Sequence, residues 1–228
     1  MNFCSGIEKM KIFKFNFFIT RIIILSVIIS CTKKQERVQN PAERKETFSF
    51  MREGNAWKYQ FRIANRVYVG TYRIMERKNN HYKIEQNFDP IFQFPAITSH
   101  WYADQHSFSM NSLGPGYHTH YDLIQIDKQP GEYWEYRLPG PEIKEGEFLS
   151  GVLSYILLEK NSSIHLGKNV YHDVIKIRQS ASSHLRFYLD YYISMRYGLV
   201  KVEGNGFEWV ANELFYSPIT IQLVDRNF

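Results

Sequence analysis

The chain has 228 residues, of which 44% are hydrophobic and 22% are charged, values close to the average of soluble globular proteins. This composition excludes a disordered chain, a collagen and a protein with many membrane spans. Aromatic residues make up 16% of the chain, with 16 Tyr and 17 Phe, and they favour strands over helices. A chain of this length is expected to form one domain, or at most two.

The net charge of +5 is concentrated at the N-terminus. Residues 1–30 contain four basic residues and one acidic residue, which leaves 24 basic and 22 acidic residues in the remainder. No strong basic field remains on the rest of the chain, so we expect no nucleic-acid partner.

The first thirty residues have the organisation of a secretory leader. Lys11, Lys14 and Arg21 precede an apolar run at residues 22–29. As a helix this run spans about 12 Å, much less than the roughly 30 Å core of a membrane. Residues 1–30 are therefore predicted to be a cleaved signal peptide, and Met10 opens the part that looks like its natural start.

The sequence Ile28-Ile29-Ser30-Cys31 resembles the lipobox of bacterial lipoproteins. The resemblance implies that Cys31 is acylated and becomes the mature N-terminus. It also implies a protein anchored to a membrane of the cell envelope, expected to be the outer membrane, facing the periplasm. The alternative is a buried structural cysteine. The other cysteine, Cys4, lies in the leader, so no disulfide is expected in the mature chain.

Residues 32–47 are rich in charged and polar side chains and contain almost nothing to bury. Such a segment cannot offset its own ordering entropy. Residues 31–47 are therefore predicted to be a lipidated cysteine followed by a flexible tether, and residues 48–228 a single β domain.

The start of this domain alternates between apolar and polar side chains. Residues 57–63 place Trp57, Tyr59, Phe61 and Ile63 on one face. Such a period of two predicts a strand with one buried face. Residues 68–74 and 82–88 continue the pattern after turns at 64–66 and 78–80, which predicts an antiparallel meander.

Alternating segments continue to the end of the chain. Further strands are predicted at residues 99–103, 107–111, 117–126, 133–138, 152–159 (or a short helix there), 170–178, 185–193, 199–203 and 207–216. A turn is expected at 161–163, a type I′ hairpin at Gly204-Asn205-Gly206, and the longest irregular stretch at 139–146. The predicted fold class is all-β, with few or no helices beyond the leader: an antiparallel curved open sheet, half-barrel or barrel.

The later strands carry a second resemblance. Tyr171-His172-Asp173-Val174-Ile175-Lys176-Ile177, followed by Tyr191-Tyr192 and by residues 197–203, is similar to the closing strands of many bacterial lipoproteins of unknown role. That resemblance implies a half-barrel sheet related in shape to periplasmic lipoprotein carriers. It implies no activity.

Two clusters could carry chemistry. His118 and His120 share one face of a predicted strand and could grip one metal ion, with a third ligand from His100, His106 or Asp104. The alternative is a polar outer strand face with ordinary histidines.

The second cluster is His100, Trp101, Tyr102 and His106, which could line the mouth of a ligand pocket. The alternative is a strand end and its turn. The aromatic excess could likewise hold an acyl chain or simply fill the core of the sheet.

No catalytic set is present in the sequence. It has no Gly-x-Ser-x-Gly elbow and no glycine-rich phosphate loop before a helix. The leading hypothesis is a lipid-anchored envelope protein, more a binding protein than an enzyme, that binds a lipid or other hydrophobic ligand or an envelope protein partner, with no cofactor. The alternatives are a metal-dependent hydrolase using His118 and His120, and a purely structural envelope component.

Overall fold

In a computed structural model, the described part of the chain comprises residues 48–64, 66–88, 96–112, 121–138, 142–144, 147–148, 151–181, 184–210 and 213–228. None of these residues lies in a helix, so this part holds no helix long and apolar enough to cross a membrane. The leader, Cys31, the predicted tether and the pair His118 and His120 lie outside the described residues.

The described residues form fourteen strands. They are β1 Ala56–Ile63, β2 Arg66–Lys78, β3 His81–Phe88, β4 Ile97–Ala103, β5 Ser107–Ser112, β6 Ile124–Gln125, β7 Tyr133–Leu138, β8 Glu142–Lys144, β9 Glu147–Phe148, β10 Gly151–Leu166, β11 Asn169–Ala181, β12 His184–Ser194, β13 Gly198–Val210 and β14 Glu213–Arg226. Twelve of them pair in one antiparallel sheet, while β8 and β9 pair only with each other. The predicted all-β class is confirmed.

The sheet consists of two meanders joined in the middle. Its order is β6-β5-β4-β3-β2-β1-β14-β13-β12-β11-β10-β7. Each strand pairs with its neighbour in sequence except where β1 meets β14 and where β10 meets β7, with β8 and β9 between them in the chain. The edge strands β6 and β7 are separated by residues 126–132 alone, yet they share no backbone ladder. The sheet is therefore open, and not a closed barrel.

The two edges nevertheless approach each other through side chains. The indole Nε1 of Trp134 donates to the backbone oxygen of Asp122 at 2.7 Å, and the backbone N–H of Asp122 donates to the hydroxyl of Tyr136 at 3.0 Å. The ammonium of Lys160 on β10 donates to the backbone oxygen of Ile126 at 2.7 Å. These contacts curl the sheet around a single interior, because they join strands from its opposite edges.

The inner face carries the apolar half of each alternating pattern. Trp57, Tyr59 and Phe61 are buried on β1, and Tyr72 and Ile74 are buried on β2. The predicted turn at residues 78–80 is confirmed, with a positive φ angle of 56° at Asn79. Of the turn predicted at 64–66, Ala64 follows β1 with a φ of 52° and Arg66 already begins β2.

One end of the interior is filled, and we call it the closed end. Residues 48–51 lie there, and Phe50 is 0% exposed. Its ring packs edge-on against Trp57 of β1 and Phe108 of β5, and it occupies the space beside Gly198 at the start of β13. Residues 48–51 therefore fill the closed end of the sheet and contact strands of both meanders.

The opposite end, which we call the open end, is where β1, β3, β5, β7, β11 and β13 finish. Most of the connections that follow these strands, at residues 89–95, 113–120, 139–141, 182–183 and 211–212, fall outside the described residues. The connections at the closed end are described throughout, for example the two-residue turns at 79–80 and 167–168.

Two predicted breaks and one predicted long strand differ from the structure in detail. Residues 161–163 do not end a strand, because β10 continues to Leu166 through a bulge at which Asn161 has a φ of 56°. The irregular stretch predicted at 139–146 includes the short strand β8. Of the long strand predicted at 117–126, residues 117–120 are not described, and only β6 is a strand in the rest. The segment predicted as strand or short helix at 152–159 is strand.

The hairpin predicted at Gly204-Asn205-Gly206 is also wrong. β13 runs through all three residues, and Asn205 pairs with Tyr188 of β12. Both glycines allow close packing instead of a turn: a Cβ on Gly204 would overlap the backbone oxygen of Tyr188, and one on Gly206 would overlap Ile219. Gly204 also has a φ of 152°, which suits glycine alone.

Candidate functional site

Of the four residues predicted to line a pocket, His100, Trp101 and Tyr102 lie on the two faces of β4, and His106 lies in the connection to β5. Trp101 points inward, is 1% exposed and packs against the rings of Trp57 and Phe108. Its neighbours on β4, His100 and Tyr102, alternate with it and face outward. The sequence cluster therefore does not form one surface.

The outward-facing members make ordinary local interactions. Burial lowers the pKa of His100, and Lys83 across the β3–β4 ladder lowers it further. The hydroxyl of Tyr102 donates to Asp104 Oδ2 at 2.8 Å. His106 is exposed at the closed end, with Nδ1 at 3.2 Å from Asp127 Oδ2.

The metal hypothesis stays a prediction. His118 and His120 lie outside the described residues. Within the described ranges, no group of three or more His, Cys, Asp or Glu side chains could hold a metal ion.

Apolar side chains inside the curve remain partly accessible at the open end, as some apolar side chains also do at the closed end, for example Ile164, Leu166 and Tyr197. Several inward-facing side chains at the open end are only half-buried, although they pack against the core. They are Tyr68, Phe88, Met110, Tyr136, Leu153, Leu189, Tyr191 and Ile221. These residues come from β2, β3, β5, β7, β10, β12 and β14, so they surround the interior instead of marking one strand.

Tyr191 shows that this surface reaches deep into the molecule. Desolvation raises the pKa of its hydroxyl well above the ordinary value, as expected far from bulk water. Its side chain nevertheless remains partly accessible. Tyr191 is therefore far from bulk water at its hydroxyl and yet not fully covered by the described residues around it.

Two inward-facing glutamines provide polar groups in this region. Both polar atoms of the Gln179 amide, on β11, form hydrogen bonds: Nε2 donates to the Tyr155 hydroxyl at 3.0 Å, and Oε1 accepts from the Tyr191 hydroxyl at 2.8 Å. In Gln86 of β3 only one of the two polar atoms forms a hydrogen bond. Its Nε2 donates to Ser99 Oγ at 2.8 Å, while its Oε1 is buried without a hydrogen-bond partner among the described residues.

Tyr72 connects the two sides of this polar set. It lies directly opposite Gln86 in the β2–β3 ladder. Burial raises the pKa of its own hydroxyl, and this hydroxyl contributes to the raised pKa of Tyr191. The hydroxyls of Tyr72 and Tyr191 are therefore within electrostatic reach of each other across the interior.

These residues were missed as a site by sequence reasoning, although one signal was present. Gln86 stands at an inward position of the alternating segment 82–88, where an apolar side chain is expected. A glutamine in such a position must find partners inside the protein. Gln179 gave no comparable signal, because the predicted strand ended at residue 178.

Comparisons with known proteins give one structural likeness. No protein-family model matches the chain, and no curated protein matches it. A crystal structure of a candidate lipoprotein from Parabacteroides distasonis is similar at 13% identity and a TM-score of 0.43, covering 79% of this chain and 99% of that one. What the protein does must therefore be inferred from its own residues.

Proposed function

We propose that the chain is a lipid-anchored protein of the bacterial envelope whose sheet binds a hydrophobic ligand through its open end. The anchor is supported by the lipobox-like sequence ending at Cys31 and by the polar tether after it. The expected location is the outer membrane, with the sheet in the periplasm. Since residue 48 enters at the closed end, the open end points away from the tether.

The observation that carries the ligand proposal is the half-buried apolar lining of the open end. Apolar side chains that remain accessible inside a curved sheet form the kind of concave, mostly apolar surface that binds small molecules. A flat protein partner would reach the outer face more readily than this interior. An apolar chain can enter it, and we therefore favour a small hydrophobic ligand over a protein partner.

Anchoring is tested by labelling cells of a lipoprotein-processing host with radioactive palmitate. The full chain should take up label and fractionate with membranes, whereas Cys31→Ala should do neither. Unchanged membrane association of Cys31→Ala would contradict the anchor. Label without Cys31 dependence would place the modification elsewhere.

Ligand binding is tested by native mass spectrometry of the intact mature protein, released from phospholipid nanodiscs without added ligand. The expected result is a bound mass corresponding to an apolar chain. Ile221→Lys, which places a charge on the inner face, should remove this mass. Thr220→Lys is the matched control, because it is the adjacent residue on the outer face of the same strand, and it should leave the bound mass in place. Equal retention in both variants would contradict an interior site.

A further inference from the structure

The unused acceptor of Gln86 is an unusual feature for the interior of a protein. The side chain is 5% exposed, and one of its two polar atoms has no partner among the described residues. A buried polar atom without a hydrogen bond destabilises the fold, because it has lost its hydration without gaining a partner. This destabilisation would be offset if a ligand supplied the missing donor.

The position of Gln86 is suited to that task. Its ladder partners, Tyr72 on β2 and Ile97 on β4, share its inward face. Phe88, two residues further along β3, is half-buried at the open end and points the same way. Gln86 Oε1 itself is closed to solvent in this structure, so a molecule entering from the open end would have to displace Phe88 to reach it.

The described polar groups nearest Gln86 on the inner face are neutral: the Ser99 hydroxyl, to which it donates, and Tyr72, its partner in the ladder. Tyr191 and Gln179, on the far side of Tyr72, are neutral as well.

The charged residues of β3 and its neighbour β2, such as Lys83, Glu85 and Arg73, alternate with the inward positions and face outward. On β11 to β13 the pairs Arg178 with Asp190, at 2.7 Å, and Lys201 with Glu203 also lie on the outer face. An ionised head group placed beside Gln86 would lose its hydration without gaining a counter-charge from these residues.

We propose, resting on the function proposed above, that the open end takes a neutral amphiphile that enters head first. Its hydroxyl or amide hydrogen donates to Gln86 Oε1, and its apolar chain lies along the half-buried lining formed by Phe88, Leu189 and Ile221. The ligand class is thus a long-chain alcohol, acylglycerol or acyl amide, in preference to a free fatty acid.

The inference is tested by comparing three probes of equal chain length: 1-decanol, its methyl ether and decanoate. Binding is measured by isothermal titration into the intact mature protein in phospholipid nanodiscs, with empty nanodiscs as the background. Decanol should bind about tenfold more tightly than the ether, the effect of one net hydrogen bond to a buried acceptor. Decanoate should bind more weakly than decanol.

Two variants assign the preference to one side chain. Gln86→Leu removes the acceptor at similar volume and should bring the decanol-to-ether ratio close to one, while affinity for the ether is kept. The variant removes the unsatisfied Oε1 together with the hydrogen bond from Nε2 to Ser99 Oγ; since the two effects oppose each other, its stability should stay close to that of the parent. Gln179→Leu is the matched control. It leaves the hydroxyls of Tyr155 and Tyr191 without their hydrogen-bond partner and should lower the melting temperature, yet it should keep the decanol-to-ether affinity ratio of the parent.

The possible results separate the two proposals. If all three probes bind with similar affinity, or if the ratio survives in Gln86→Leu, the hydrogen-bonding role of Gln86 is overturned and an apolar site remains. If none of the probes binds, both the role of Gln86 and the hydrophobic-ligand function are overturned.

Discussion

The two ends of the sheet are built from the same strands but are finished differently. At the closed end, Phe50 fills the interior and is fully buried against Trp57 and Phe108. At the open end, the equivalent aromatic side chains, such as Phe88 and Tyr68, are only half-buried. The difference is one of packing: Phe50 is enclosed on all sides at the closed end, whereas Phe88 and Tyr68 keep accessible surface, and the proposed ligand site rests on that surface.

The largest expected effect is a difference in stability between alanine substitutions in the core at the two ends. Phe50→Ala removes a fully buried ring and should lower the free energy of unfolding by roughly 3–5 kcal/mol. Phe88→Ala removes a ring that is already partly in water and should cost about 1–2 kcal/mol. Chemical denaturation of the intact mature protein measures both. A cost for Phe88→Ala as large as that for Phe50→Ala would mean that the two ends are equally well packed.

The next effect compares two glycines of the sheet. Gly204→Ala would force a Cβ onto the backbone oxygen of Tyr188 and strain a backbone φ of 152°, so it should cost about 2–3 kcal/mol. Gly70→Ala meets only the ring edges of Phe61 and Phe88, the second of which lies at the open end and can move. Its cost should be about 1 kcal/mol or less.

Thermal unfolding of the two alanine variants gives the comparison directly. Equal destabilisation would show that Phe88 is held as rigidly as a backbone, which contradicts an unfilled open end. A Gly204→Ala variant as stable as the parent would contradict the close approach of β12 and β13.

Gly204 also shows what could be read from the sequence and what could not. Alternation of apolar and polar residues is a local property, so the strands at 57–63, 82–88 and 133–138 were predictable with nearly correct bounds. A Gly-Asn-Gly segment is equally local, but its meaning depends on the strands beside it. In this sheet the glycines make room for Tyr188 and Ile219, which only the register of three strands reveals.

The candidate site was less predictable for the same reason. Sequence reasoning favoured residues that carry reactive groups and lie close together in the chain, such as His100, Trp101 and Tyr102. The structure instead assembles the polar set from Gln86 of β3 and Gln179 of β11, 93 positions apart in the sequence. A single inward glutamine in an apolar pattern was the available signal, and nothing in the chain alone tells whether its two polar atoms find partners.

The smallest expected effect concerns the outer face, which the two ends share. Burial alone would raise the pKa of Glu203, but Lys201 and the hydroxyl of Tyr192 outweigh it and hold the pKa below its ordinary value. A carboxyl group with a lowered folded-state pKa stabilises the fold above its unfolded-state pKa of about 4.3, and this stabilisation is lost as the pH falls through the lower value. Since the side chain is 39% exposed, Glu203→Gln should cost only a few tenths of a kcal/mol at neutral pH.

Denaturation of parent and Glu203→Gln proteins at pH 7 and again near pH 3 checks both the size and the sign. The difference in unfolding free energy should shrink toward zero at the lower pH, and affinity for decanol should be the same in both proteins at pH 7. A stability difference that grows on acidification would reverse the assigned direction of the pKa shift. A change in decanol affinity would mean that the outer face of β13 communicates with the interior, and the open end could then no longer be treated as a site separate from the rest of the sheet.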